Sequence, residues 1–392
     1  MLKPVILYGF PFAADVIVSL VLFVGRHALA GLGYGEATVG SIVLFYGIGY
    51  VIASLLMTRV INPRVVKEQM LASLVGIVVI CLLLANVTYL RLIQALYALF
   101  PFVISLFFNA FQIFMLGVSN EDAKPLATTA GHFVFAWSIG FAAGPFISSL
   151  MKASLAWAQI YYAAAALAVV MSVLLLSFRP RPAPDESTAP TEDTSPSLGE
   201  APQSLIGAAW VGLLFGWTAW NAALIYWPIQ AVRLGLPTQV KGLMETGGAL
   251  TQGVAALALT YLDGWHRRPG FLAVFGALGV VSLGLLSGFS HVVTFGIAAI
   301  LYGIYTASMF SFLVYHGMVD ERKAVKRVAL GETIVGICFL LSSPVANLLH
   351  GDGRPFGRSY LLLAVVLAVG TAVQTLYART LARDRAAAPE AA

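Results

Sequence analysis

Long apolar stretches alternate with short polar punctuation along the whole chain, and the stretches are too long and too unbroken to be strands. Taking about twenty apolar residues as one crossing of a bilayer, the pattern predicts helices near 5 to 31, 38 to 58, 69 to 86, 89 to 118, 125 to 152 and 157 to 178. Six more follow near 204 to 231, 238 to 261, 270 to 288, 291 to 319, 328 to 350 and 359 to 381. The two sets echo each other. Gly117, Asn120 and Glu121 lead through a polar turn to Gly131-His132 and an apolar run ending at Gly144-Pro145; farther on, Gly317, Asp320 and Glu321 lead to Gly331-Glu332 and a run reaching Pro344. Leu32-Gly33 and Gly40 are answered in the same way by Leu234-Gly235 and Gly242. Internal repeats of membrane segments are the signature of many secondary transporters.

Between the sets the apolar periodicity stops, and Pro180, Pro182, Pro184, Pro190, Pro196 and Pro202 stand among Ser, Thr and acids. Such a composition makes an extended, flexible linker. The organisation expected is an all-α polytopic membrane protein with two parallel, pseudo-symmetric six-helix bundles, 1–178 and 204–381, a Pro-rich linker 179–203 and a tail 382–392. With the N-terminus inside, 16 of the 23 Lys and Arg residues fall on the inner side. Retained positive charge marks the cytoplasmic face, so both termini, the linker and the repeated polar turns are expected in the cytoplasm, and the setting is the cell membrane, as in a bacterial inner membrane.

Composition agrees with this picture and narrows the chemistry. Of 392 residues, 59% are hydrophobic and 10% charged, against about 25% charged in soluble domains. The net charge of +5 is spread over short loops, which fits topology rather than nucleic-acid binding. Cys81 and Cys338 lie in apolar runs of different halves, where packing is expected rather than a disulfide or a metal site. Met1-Leu2-Lys3 and the apolar run after it resemble a signal peptide, yet Asp15 interrupts the run and no small-residue cleavage site follows, so an uncleaved first span is expected. No metal-ligand spacing, nucleophile motif or phosphate-binding loop stands at a membrane boundary, so neither an enzyme nor a cofactor is expected, and the partners are a small solute, protons and the lipid bilayer, with a monomer as the working unit.

Twelve spans in two parallel halves, a long middle linker and the Leu-Gly then Gly spacing into helices 2 and 8 together resemble the major facilitator superfamily. Within that resemblance, Gly140 to Ser148 is similar to the helix-5 signature of the family's antiporters, with Gly140, Gly144 and Pro145 in place and Ser148-Ser149 where glycines are usual. Arg91-Leu92-Ile93-Gln94-Ala95 is similar to the helix-4 signature Arg-x-x-Gln-Gly, with Ala95 replacing glycine. The loop Asp263 to Arg268 resembles the family's acidic-then-basic loop, whereas its counterpart, Arg59 to Arg64, keeps the bases and lacks the aspartate.

Ionisable residues inside spans cost about 2.5–3.5 kcal/mol on insertion scales and so usually face a cavity or a partner. Asp15 lies roughly 15 Å into the first helix, near the bilayer middle, and is the candidate proton-coupling group; the bland alternative is a carboxyl bonded between packed helices. Asn109 and Gln112 on helix 4 lie at a similar depth, and with Trp217, Trp220, Asn221 and Tyr226 on helix 7 they could line an amphipathic pocket. Arg26, His27 and Arg91 cluster toward the outer ends of helices 1 and 4, as an anion-attracting vestibule or as headgroup anchors. The resemblance implies that helices 1 and 8 meet, which would pair Arg26 with Glu245. It also implies a cytoplasmic gate, with Glu332 meeting Arg59 or Arg64 and His132 meeting the loop of Asp263, Arg267 and Arg268. The glycines and Pro145 of helix 5 read as close packing and a bend.

These readings converge on a transporter working by alternating access, with proton-coupled efflux of an amphipathic compound as the leading form. Uptake of a small organic anion is the rival within transport, and a transport-inactive receptor or assembly factor with the same fold is the rival outside it.

Overall fold

The computed structural model of the protein describes residues 2–32, 34, 36–121, 126–152, 156–177, 205–235, 238–262, 264–288, 291–350 and 355–387. Twelve long helices carry the chain. The first half contributes α1 (Leu2–Gly31), α2 (Glu36–Val60), α3 (Val66–Asn86), α4 (Leu90–Glu121), α5 (Leu126–Lys152) and α6 (Trp157–Ser177). The second contributes α7 (Ile206–Arg233), α8 (Thr238–Leu259), α9 (Pro269–Gly288), α10 (Val292–Met318), α11 (Glu321–His350) and α12 (Phe356–Ala387). All twelve expected helices are present. The largest boundary shifts are in α11 and α12, which extend through charged sequence at 321–327 and 382–387 because Lys, Arg and Ala continue a helix outside the apolar stretch without cost.

Eleven of the twelve are long and apolar enough to cross a membrane among the described residues, α8 being the exception. Its Glu245 and Gln252 are buried against protein rather than exposed to lipid, so it does not need a uniformly apolar surface. Prolines stand inside α1, α4, α5 and α11 at Pro11, Pro101, Pro145 and Pro344. Neighbouring helices can absorb such interruptions in a bundle.

Helix packing repeats with an offset of six. In the first half α1 packs on α5 and α6, α2 on α4, and α3 on α4 and α6; in the second α7 packs on α11 and α12, α8 on α10, and α9 on α10 and α12. The halves join along α2–α11 and α5–α8, which map onto each other under the same offset. Burial separates inner from outer helices: the most apolar windows of α1 and α10 are 72% buried, those of α3, α6 and α12 are 39% and that of α9 is 33%. The outer set therefore faces lipid, and the inner set surrounds the centre.

Close helix approach makes this packing possible. At Gly47 a side chain would lie 2.5 Å from the Leu340 backbone nitrogen, and at Gly336 it would lie 2.8 Å from that of Val51, so each half supplies one glycine to the α2–α11 seam. Gly140 and Gly144 seat α5 against α1 at Phe12 and Ser19. The helix-5 motif thus has a packing role within the first half. The α4–α5 and α10–α11 turns fall at the same end of the bundle as the start of α1 and the end of α12. That end is termed the terminal end, and its opposite the far end.

Candidate functional site

Between the halves lies a cavity of about 800 Å³, open mouth included. Asp15 of α1, Tyr46 and Tyr50 of α2, Gln112 of α4, Trp137 of α5 and Trp217 of α7 line it, together with Phe310 of α10 and Arg327, Glu332 and Phe339 of α11. Every lining residue lies in the middle or terminal-end part of its helix, with Gly317 and Arg327 nearest the terminal end. The space therefore reaches toward the terminal end and stops short of the far one.

Thirteen residues separate Asp15 from the start of α1, or about 20 Å along the helix, which sets it near mid-bilayer. It is buried. The next turn of α1 carries Ser19, whose hydroxyl donates to the Asp15 carbonyl at 2.7 Å. Glu332 shares the cavity and is clamped from the opposite half: Tyr50 Oη donates to Oε2 at 2.7 Å and Gln112 Nε2 donates to Oε1 at 2.9 Å. Two bonds fix the plane of the carboxylate. The Glu332 carboxylate is half-buried and borders the central space with both hydrogen bonds in place.

The gate expected around Glu332 is not formed. Arg59 lies in the last turn of α2 and Arg64 in the short turn after it, both exposed, whereas Glu332 begins the fourth turn of α11, well inside the bundle. The eleven helical residues before Glu332, charged in their first two turns, place it about 16 Å from the start of α11, out of reach of that loop. The opening turns of α11 pair with the residue just before the helix, Asp320 meeting Arg327 at 3.4 Å and Lys323 at 3.7 Å. His132 packs against the Tyr8 ring of α1 with centroids 5.5 Å apart. A side chain added at its neighbour Gly131 would meet Thr260, one residue past the end of α8 and just before the loop in question. Arg268 is exposed; Asp263 and the side chain of Arg267 lie outside the described residues.

At the far end Arg26 Nη2 meets Glu245 Oε2 at 3.0 Å, the side chains only 16% and 4% exposed. This pair joins α1 to α8, the contact that the resemblance implied. His27 packs against Phe23 with tilted rings, centroids 4.0 Å apart, and Arg91 is exposed on the first turn of α4. Thr246 Oγ1 donates to the Ala142 carbonyl at 3.0 Å and Gln252 Nε2 to Ser138 Oγ at 2.7 Å, so α5 and α8 are stitched along the same seam.

Of the six residues expected to line the pocket, Gln112 and Trp217 do so. Trp220 stacks on Tyr302 at 4.5 Å and borders a smaller adjoining space. Asn109 turns back to the Ser105 carbonyl at 2.8 Å, Asn221 to that of Trp217 at 2.8 Å, and Tyr226 reaches the Ala346 carbonyl at 2.6 Å. Their polarity is used within and between helices rather than in the cavity. The aromatic walls contributed by α2, α5, α10 and α11 had one visible signal, the Tyr46 and Tyr50 pair four residues apart on one helix face. Among the described residues no cluster of three His, Cys, Asp or Glu side chains could hold a metal ion.

Residues 5–343 match the profile of the Major Facilitator Superfamily, and the chain belongs to that superfamily. Among solved structures, the fold is similar to the human organic anion transporter MFSD10 (TETRAN), with a TM-score of 0.72 and 14% identity over 94% of this chain and 98% of that one. It is also similar to the nucleoside transporter NupG, with a TM-score of 0.65 and 15% identity over 96% and 99% of the two chains. No curated protein matches the sequence. The protein is thus a multi-pass membrane transporter of this superfamily.

Proposed function

We propose that the protein exports an amphipathic, cationic solute in exchange for protons. The observation that carries this reading is the pairing of two carboxyl groups, Asp15 and Glu332, in one aromatic-walled cavity between the halves. Aromatic faces suit an apolar or cationic body, and each carboxyl can carry a proton or a cation's counter-charge, but not both. Mutually exclusive occupancy couples one flux to the other. The excess of Lys and Arg at the terminal end supports placing that end in the cytoplasm, in which case the cavity opens inward while Arg26–Glu245 holds the outer side shut, in the cell membrane. Both halves line one cavity, which supports a monomer as the working unit.

A second reading, transport of an organic anion, is favoured by Arg327 on the cavity wall and by the likeness to a protein described as an organic anion transporter. Against it, Arg327 already faces Asp320, and Arg26 is committed to Glu245. The deciding experiment adds tetraphenylphosphonium to purified protein in weakly buffered detergent. Binding accompanied by proton release, lost in Asp15→Asn/Glu332→Gln, supports exchange. Binding without proton release, or binding only of organic anions, overturns it.

A further inference from the structure

The central cavity carries charge of both signs, at two levels. Glu332 lies about 16 Å and Arg327 about 9 Å from the start of α11, and both line the space. About 7.5 Å of helix axis therefore separates the base from the acid. Phe310 of α10 lies about 12 Å in from the turn that joins α10 to α11, so its ring stands on the cavity wall at the level between them. Edge-on contacts with Trp137 and Trp217, at 4.8 and 5.0 Å, hold that ring in place. The order from the terminal end inward is base, aromatic ring, acid.

Asp320 does not exhaust Arg327. Its Oδ2 stands 3.4 Å from Nη2, farther than the about 2.7–2.9 Å of a charge-assisted hydrogen bond, and its side chain is 27% exposed. Nη1 is buried and has no acceptor among the described residues. A buried donor left unpaired costs free energy that an incoming oxygen recovers. Space exists on the same wall: at Gly317, which lines the cavity with Arg327, an added side chain would have only a Val328 methyl group within 4 Å, at 3.9 Å.

We propose that the solute is a zwitterion, with an ammonium group that meets Asp15 and Glu332, an apolar or aromatic body beside Phe310, and a carboxylate on the order of 7 Å away that meets Arg327. The inference rests on the cation reading given above and narrows its substrate class. Arg327 is then the residue that sets specificity. A plain cation leaves Nη1 unpaired and brings its charge toward the guanidinium, whereas a plain anion has to face Asp15 and Glu332. Only a molecule with both groups compensates the charges at both levels of the cavity.

The test is titration calorimetry of the full-length purified protein with para-aminomethylbenzoate, its methyl ester and para-toluate, which share one ring and carry both charges, the cation alone and the anion alone. Tetraphenylphosphonium is the reference cation. Wild type is expected to bind the zwitterion on the order of tenfold more tightly than the ester or the toluate. Arg327→Gln should erase the preference over the ester and should tighten tetraphenylphosphonium, because a positive charge leaves the wall. Asp320→Asn removes the competing carboxylate while keeping Arg327, so it should widen the preference, which a folding defect would not do. A wild type that binds the ester as tightly as the zwitterion, or a preference that survives Arg327→Gln, overturns the zwitterion; the cation reading then stands if tetraphenylphosphonium still binds through Asp15 and Glu332. Tetraphenylphosphonium binding that is absent, or independent of those two acids, overturns both, as does toluate binding as tight as that of the zwitterion.

Discussion

Gln112 of α4 donates to Glu332 of α11 at 2.9 Å, so a residue of the first half fixes the carboxylate of the second at the centre of the molecule. Tyr50 does the same from α2 at 2.7 Å. The bonds make Glu332 a junction between halves as well as a wall of the cavity, and any movement of one half against the other must break or remake them.

The first prediction follows from that geometry. Glu332→Gln retains an acceptor for Tyr50 and should fold like wild type, with thermal stability almost unchanged. Glu332→Leu leaves the Tyr50 hydroxyl and the Gln112 amide without partners, which costs about 1–3 kcal/mol and should lower the unfolding temperature. Both variants should lose proton-driven transport. Thermal unfolding in detergent beside a transport assay separates the two effects, and equal stability of the Leu and Gln variants would contradict the described clamp.

The far-end pair gives a second prediction. Removing one partner of a buried ion pair costs about 3–5 kcal/mol, so Arg26→Gln should be markedly destabilised and Arg26→Glu/Glu245→Arg should recover most of the loss. The single variant should also admit a bulky thiol reagent from the far side to a cysteine placed by Val18→Cys on the cavity wall. Unchanged labelling in Arg26→Gln would show that the pair does not close that end.

A third prediction concerns the α2–α11 seam. A side chain at Gly47 would meet Leu340 backbone at 2.5 Å, and backbone cannot yield as a flexible side chain does. Gly47→Val should cost about 1–3 kcal/mol by overpacking and should impair transport even if the protein is inserted normally. Gly9, with open space around it, is the control: Gly9→Ala should leave thermal unfolding unchanged or raise it slightly, since Ala favours a helix interior over Gly by up to about 1 kcal/mol.

The twelve helices and their six-plus-six order were legible because apolar length and the Gly117/Gly317 repeat do not depend on tertiary context. Asp15 stood out for the same reason, as a charge alone in an apolar run. The Arg26–Glu245 contact was reachable only through the family's architecture, since nothing local relates residues 219 positions apart. The pairing of Glu332 with Arg59 or Arg64 came from the resemblance alone, and the charged residues from 321 onward, which are helical, carry Glu332 three turns into the bundle and away from that loop. Asn109, Asn221 and Tyr226 show the opposite limit: a polar residue in a span can bond a backbone carbonyl of its own or a neighbouring helix, and only the packing reveals whether it faces a cavity. The aromatic walls were hidden among apolar spans whose helices bury residues on several sides, so periodicity does not say which face looks inward.

The central claim is that Asp15 and Glu332 exchange protons for solute, and it is tested most directly in proteoliposomes with an imposed pH gradient. Wild type should accumulate tetraphenylphosphonium against its own gradient, with the electrical potential clamped and the proton gradient as the driving force. Asp15→Asn should fold and should still exchange labelled for unlabelled solute without a gradient, yet fail to concentrate it. If Asp15→Asn concentrates solute as wild type does, Asp15 is a packing carboxyl and the proposed coupling is wrong.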